Sequence, residues 1–184
     1  MSIAEKRVGE LRGRLAELKD IERIEQIVQF AFRGGTDAKS WTGEEHLVRG
    51  PRITLDGLRT ILAEPKEQAI LLAELPIAGS IEIVGCIHVE KHEEDAHIGM
   101  LAVAPAAQSS GTGKFLMDWA EEFAQRQFDC KRVVGVVLSG RPELMDWYLR
   151  KGFELTGEIE PYNPPGVTPL VDGLHFVKIQ KALR

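Results

Sequence analysis

The chain has 184 residues, 43% of them apolar, with 23 Lys and Arg against 28 Asp and Glu for a formal net charge of −5. That length and composition suit one globular domain with a sizeable core, read here as residues 1–184. The acidic balance speaks against nucleic acid as a partner, since phosphate binding draws on a basic face, and no run approaches the ~20 apolar residues of a membrane span.

Cys86 and Cys130 stand in no metal or CxxC spacing and read as reduced, buried thiols. The opening MSIAEKRVGELRGRL lacks an apolar leader core, so a cytoplasmic location is expected. Residues 1–9 read as a loose polar lead-in, with a short strand at 11–16. Asp20 is placed to cap a helix over 21–31, where Ile21, Ile24, Ile27, Val28 and Ala31 recur at helical period. Residues 33–37 (RGGTD) break it. A helix over 40–49 is predicted from Thr42 and Glu45, a capping-box pair. Another over 54–62 is indicated by Leu55, Leu58, Ile61 and Leu62 on one face.

Residues 69–74 and 82–89 read as two strands, the second running through a polar hairpin tip at 91–95 into a third. Cys86 falls in the buried pattern of the second strand and reads as core. His88, His92 and His97 match no common zinc spacing, so no metal is expected. The acidic residues of 90–95 suit a solvated turn, or a lure for a cationic partner.

The stretch 96–113 (AHIGMLAVAPAAQSSGTG) is the organising centre of the chain. Residues 98–103 form an apolar strand that Pro105 ends. Gln108, Ser109, Ser110, Gly111, Thr112 and Gly113 then open into an amphipathic helix with Phe115, Leu116, Trp119, Ala120, Phe123 and Ala124 on its apolar face. A glycine loop at a helix N-terminus offers unpaired amides at the positive end of the dipole, a site for phosphate. Read alone, the same loop is also a plain tight turn. A Walker loop fails, because Gly113-Lys114 is followed by Phe115 instead of Ser or Thr. A dinucleotide fingerprint fails too, because seven residues, 104–110, separate strand from first glycine.

Beyond the helix, 132–138 (RVVGVVL) is a β-branched run of the fully buried type. Pro142 starts a helix through Leu144, Trp147, Tyr148 and Leu149, and Gly152 closes it. A strand at 153–158, a long Pro/Gly-rich segment at 160–172 and a strand at 174–181 that ends the sheet complete an α+β chain.

Two motifs now stand in order, about 35 residues apart: Val103-x-Pro105-x-x-Gln108-x-x-Gly111-x-Gly113 and Tyr148-x-x-x-Gly152-Phe153. Together they resemble the GNAT superfamily of acyl-CoA-dependent N-acyltransferases. The resemblance implies a mixed, mostly antiparallel central sheet flanked by helices on both faces. It also implies transfer of an acetyl group from acetyl-CoA directly to a primary amine of a small molecule or peptide. In such a protein the loop Gln108, Ser109, Ser110, Gly111, Thr112, Gly113 and Lys114 holds the cofactor pyrophosphate, while Leu101, Ala102 and Val103 meet the pantetheine arm. Tyr148 faces the thioester sulfur as general acid.

His97 matches the position of a family base, and its imidazole suits neutral pH, but a histidine near a hairpin tip is equally a bystander. Where many members carry asparagine, seven residues before the tyrosine, this chain has Arg141. The regions 34–52, with Trp41, and 160–172 are expected to shape the acceptor side; Trp41 also suits a core or lid aromatic. Homodimers are frequent in the family, and the sequence leaves that open. Two other readings stay open: a non-catalytic acyl-CoA-binding sensor, and a nucleotide-binding module using the same loop.

Overall fold

The structure, a computed structural model, describes residues 5–34, 43–108 and 110–184. Within the described part of the expected lead-in, residues 5–8 are strand: β1 (Glu5–Val8) pairs antiparallel with β2 (Leu11–Leu15). Helix α1 (Ile21–Arg33) buries Ile21, Ile24, Ile27, Val28 and Ala31, the residues whose period marked it. Asp20 precedes it but makes no side-chain cap. Its carboxylate is drawn away to Arg14, which donates to it through Nη1 at 2.7 Å and Nη2 at 2.9 Å. A bidentate charged pair outcompetes one amide bond.

The helix expected at 40–49 does not form over its described part. Residues 43–47 lie in coil and turn, and Val48–Arg49 is a short strand, β3. Thr42 and Trp41 lie outside the described residues. Helix α2 (Leu55–Ala63) is capped by the Thr54 hydroxyl, which accepts from the Gly57 amide at 3.1 Å.

Next come β4 (Gln68–Ile77), β5 (Ser80–His92) and β6 (Asp95–Val103), joined as an antiparallel meander. Helix α3 (Thr112–Phe128) leads to β7 (Arg132–Leu138), and α4 (Pro142–Arg150) to β8 (Glu154–Pro161). The last strands are β9 (Thr168–Pro169), paired with β3, and β10 (His175–Ala182). The main sheet runs β1-β2-β4-β5-β6-β7-β10-β8, and β6–β7 is its one parallel pair among the described residues. The final strand therefore does not end the sheet. It inserts between β7 and β8, leaving β8 as the exposed edge.

Ile70, Leu71, Leu72 and Ala73 are consecutive and almost wholly buried, as are Val84 and Cys86 to Ile87. Continuous burial means that both faces of the central strands are covered. Helices α1 and α3 both pack on β5 and β6, and α2 packs on β4. Under α3, Gly13 lies so close to the Trp119 indole that a Cβ there would stand 2.5 Å from Cζ3. No helix among the described residues is long and apolar enough to cross a membrane.

Candidate active site

Two departures from regular strand geometry open a cleft at the centre of the sheet. Along β5–β6, Cys86 faces Ala102 and His88 faces Gly99, so Met100 and Leu101 stand opposite Ile87 alone. This is a β-bulge, and Met100 carries it at φ +50°. Packing holds that strained residue: Met100 is 4% exposed, and its carbonyl accepts from the Cys86 thiol at 3.6 Å. On its other edge β6 pairs with β7 only through Asp95–Arg132, Ala96–Val133 and His97–Val134. Beyond His97 the two strands part like a fork. Ile98 to Leu101 and Val103 on one prong, and Gly135 to Leu138 on the other, line a cavity of about 450 Å³.

The glycine loop forms part of the wall of this cavity. A 3₁₀ turn, Pro105–Ala107, leads to Gln108, and Gly111 at φ +84° is the N-cap of α3, a conformation that favours glycine. No described side chain caps the helix. The Ser110 hydroxyl is occupied elsewhere, donating to the Ala107 carbonyl at 2.6 Å and lying 2.7 Å from the Thr112 hydroxyl. The first-turn amides therefore lack helical partners at the positive end of a 17-residue helix, with Gln108 and Gly111 to Lys114 lining the cavity beside them. Gly113 is less constrained than Gly111, since a Cβ there would meet Trp147 and Val103 at an ordinary 3.9 Å. Lys114 pairs with Asp118 one turn on.

That donor set suits a pyrophosphate, and the forked strands suit a narrow tail; acetyl-CoA fits both. Leu101 and Val103 line the fork. Ala102 does not: it is 1% exposed and packed into the core. Ser109 lies outside the described residues.

Helix α4 brings Leu144, Trp147 and Tyr148 to the cavity wall. The Tyr148 ring stands edge-on between Trp147, at 5.0 Å, and Phe153, at 5.3 Å. Burial pushes its phenol up to about 12, with Arg52 pulling the other way. It thus keeps its proton throughout the neutral range.

His97 is not brought to this site. It sits where β6 and β7 are still paired, at the closed end of the fork, exposed and with its ring 4.4 Å from that of His92. Strand alternation put it on one face with Gly99, but the cleft opens only past it. Cys86 is core, and burial pushes its thiol up to about 12, far from nucleophilic.

The rest of the cavity wall was not visible in any one motif, because separate segments build it. Phe32 and Arg33 come from the end of α1, Glu44 from the turn after it, Arg52 from before α2, and Tyr162 and Phe176 from the C-terminal region. Arg33 Nη1 donates to Glu44 Oε2 at 2.9 Å and Nε to the Gly50 carbonyl at 2.6 Å. Arg141, 2% exposed behind this wall, donates from Nε to Glu143 Oε1 at 2.5 Å, with Nη1 4.0 Å from Glu44 Oε1. It braces the start of α4 and does not line the cavity. Arg52 does, its guanidinium lying 4.9 Å over the Phe32 ring. Burial draws Arg52 below its ordinary value, Glu44 opposing.

Residues 66–155 match the family model of the acetyltransferase (GNAT) domain. No curated protein sequence matches the chain. Among solved structures, Ard1 from Thermoplasma volcanium is similar with a TM-score of 0.67 at 20% identity, covering 95% of this chain and 99% of that one. The yncA protein from Salmonella typhimurium, a putative acetyltransferase solved with its cofactor acetyl-CoA, gives 0.67 at 16% identity over 95% and 94%. A spermidine N-acetyltransferase from Vibrio cholerae, in complex with CoA and spermine, gives 0.66 at 13% over 96% and 97%. At these identities the structures establish a shared fold.

Proposed function

We propose that this chain, an acetyl-CoA-dependent acyltransferase through the GNAT domain at residues 66–155, acetylates a primary amine of a small molecule or peptide by direct attack. The observation that carries this reading is the cavity itself, lined both by an uncapped helix N-terminus and by Tyr148. When bound, acetyl-CoA supplies a thioester: the amine nitrogen bonds to its carbonyl carbon, the C–S bond breaks, and the electron pair leaves on sulfur, which takes up a proton.

The chain's own groups divide the remaining work. Amides of Thr112, Gly113 and Lys114 bind the diphosphate, and the bulge at Met100 frees strand backbone beside Leu101 and Val103 for the tail. Tyr148 Oη–H donates to the departing sulfur. Because its pKa is raised, it acts as a relay, passing one proton to sulfur as it regains one from the amine. The amine must arrive neutral. Glu44 is the one carboxylate among the described lining residues, and it is held by Arg33. Cations and desolvation along this wall disfavour an ammonium, which lowers the amine's pKa without a dedicated base. Spermidine, the substrate named for one similar fold, is a polycation, and the described residues of this wall offer it no uncommitted carboxylate.

The test is an amine panel with acetyl-CoA, read by free thiol release and by mass of the product. N-acetylated product is the expected result. CoA binding with no turnover on any amine would select a sensor role, and ATP or NAD binding without CoA binding a nucleotide module.

A further inference from the structure

We propose that the acceptor carries a carboxylate beside its amine, as an amino acid does, and that Arg52 is the side chain that binds this carboxylate. The inference rests on the acyltransferase reading of the same cleft and narrows its substrate.

Counting charge at the acceptor end shows why. Arg33 is matched by Glu44 at 2.9 Å, and Arg141 by Glu143 at 2.5 Å. Glu44 also lies 4.0 Å from Arg141, so its charge is shared between two arginines. Arg52 is left over. Among the described residues no carboxylate forms an ion pair with it: it lies over Phe32, and Glu44, already paired with Arg33, reaches it only through its field, as do Arg33, Tyr162 and Tyr148. A half-buried guanidinium held over an aromatic face and facing a cavity is costly unless something anionic meets it there. The planar fork of arginine fits a carboxylate through two parallel hydrogen bonds.

Three further observations set the class. One guanidinium unmatched among the described residues suits a monoanion better than a phosphate dianion. The cavity, about 450 Å³, must hold the cofactor's tail as well, so the acceptor is small. The field of Arg52 also reaches both phenols, favouring the ionised form of Tyr148 and of Tyr162. A carboxylate on Arg52 is therefore held near Tyr148, where the amine must react, and amine and carboxylate are close together in the substrate. A polyamine meets like charge at the same wall.

The experiment pairs each amino acid with its decarboxylated amine, adds spermidine and O-phosphoethanolamine, and measures kcat/KM for the wild type, Arg52→Gln and Arg52→Lys. For wild type, carboxylates should be preferred by about 100-fold, the scale of a lost buried charge pair. Arg52→Gln should remove that preference mainly through KM, and Arg52→Lys restore part of it. Calorimetry gives a second readout independent of turnover: N-acetyl amino acid should bind wild type and not Arg52→Gln, while CoA binds both equally, which also reports correct folding. Equal turnover of decarboxylated amines or spermidine overturns the proposal, as does a preference for O-phosphoethanolamine or one that survives in Arg52→Gln. If no amine is acetylated at all, the acyltransferase reading fails, and the calorimetric arm still decides whether Arg52 binds carboxylates.

Discussion

Arg33 Nη1 and Glu44 Oε2 lie 2.9 Å apart in the cavity wall, with their side chains only 13% and 10% exposed. The pair spans the described chain on either side of residues 35–42, tying the end of α1 to the turn before β3. Removing one partner of such a pair strands a charge out of water. Glu44→Ala is expected to lose about 3 kcal/mol of stability, while Arg33→Met with Glu44→Leu recovers most of it. Urea denaturation of the two variants checks this. Equal losses in the single and double variants would mean that the pair is not what holds the wall.

Tyr148→Phe is expected to lower kcat by about 100-fold with little change in the KM for acetyl-CoA, the scale of a lost general acid. The sign of its pH dependence comes from burial, which raises the phenol to about 12. The protonated, donating form persists across the working range, so no alkaline fall in rate below pH about 10 belongs to Tyr148. Turnover of Tyr148→Phe equal to wild type over pH 6–9 would remove it from the mechanism.

Much of this site was legible in local sequence, and the rest was not, for a physical reason. The amides at 111–114 and the phenol of Tyr148 belong to continuous motifs, where a proline, two glycines and helical periodicity fix the backbone. The cleft between β6 and β7 opens only past His97, and β6 carries a bulge at Met100, a residue with no sequence mark of positive φ. Strand alternation alone therefore appeared to carry His97 into a cleft that begins beyond it. The rest of the cavity wall assembles Phe32, Arg33, Glu44, Arg52 and Tyr162 from segments far apart in sequence, so no spacing announces it. Asp20 shows the same limit on a smaller scale: its position predicts a cap, but Arg14 on a neighbouring strand claims its carboxylate.

His88 ties stability to pH. Burial lowers its pKa from 6.5 to about 4, with Glu90 opposing and Arg52 reinforcing, and its Nε2 lies 3.0 Å from Gln68 Oε1. The unfolded chain takes up a proton as pH falls through 6.5, and the folded chain only near 4. Stability from this group is therefore full above pH 6.5 and falls between 6.5 and 4, by roughly 3 kcal/mol. In His88→Gln that part of the pH–stability curve should flatten. An unchanged slope in the variant would assign the acid sensitivity to other groups.

Gly13 and Trp119 give the tightest test of packing beneath α3. A Cβ on Gly13 would lie 2.5 Å from Trp119 Cζ3, 2.8 Å from Cε3 and 3.0 Å from Phe115 Cζ, all distances that force a shift. The indole is 1% exposed and has nowhere free to move. Gly13→Ala is therefore expected to cost about 1–3 kcal/mol by overpacking, although its backbone conformation suits any residue. Trp119→Leu leaves a void and should cost a similar amount or more. Combined, the two changes occupy each other's space, so the double variant should be more stable than the sum of the single losses predicts, by about 1 kcal/mol. Thermal or chemical unfolding of the four proteins measures that coupling, and strict additivity would show that β2 and α3 do not meet at this contact.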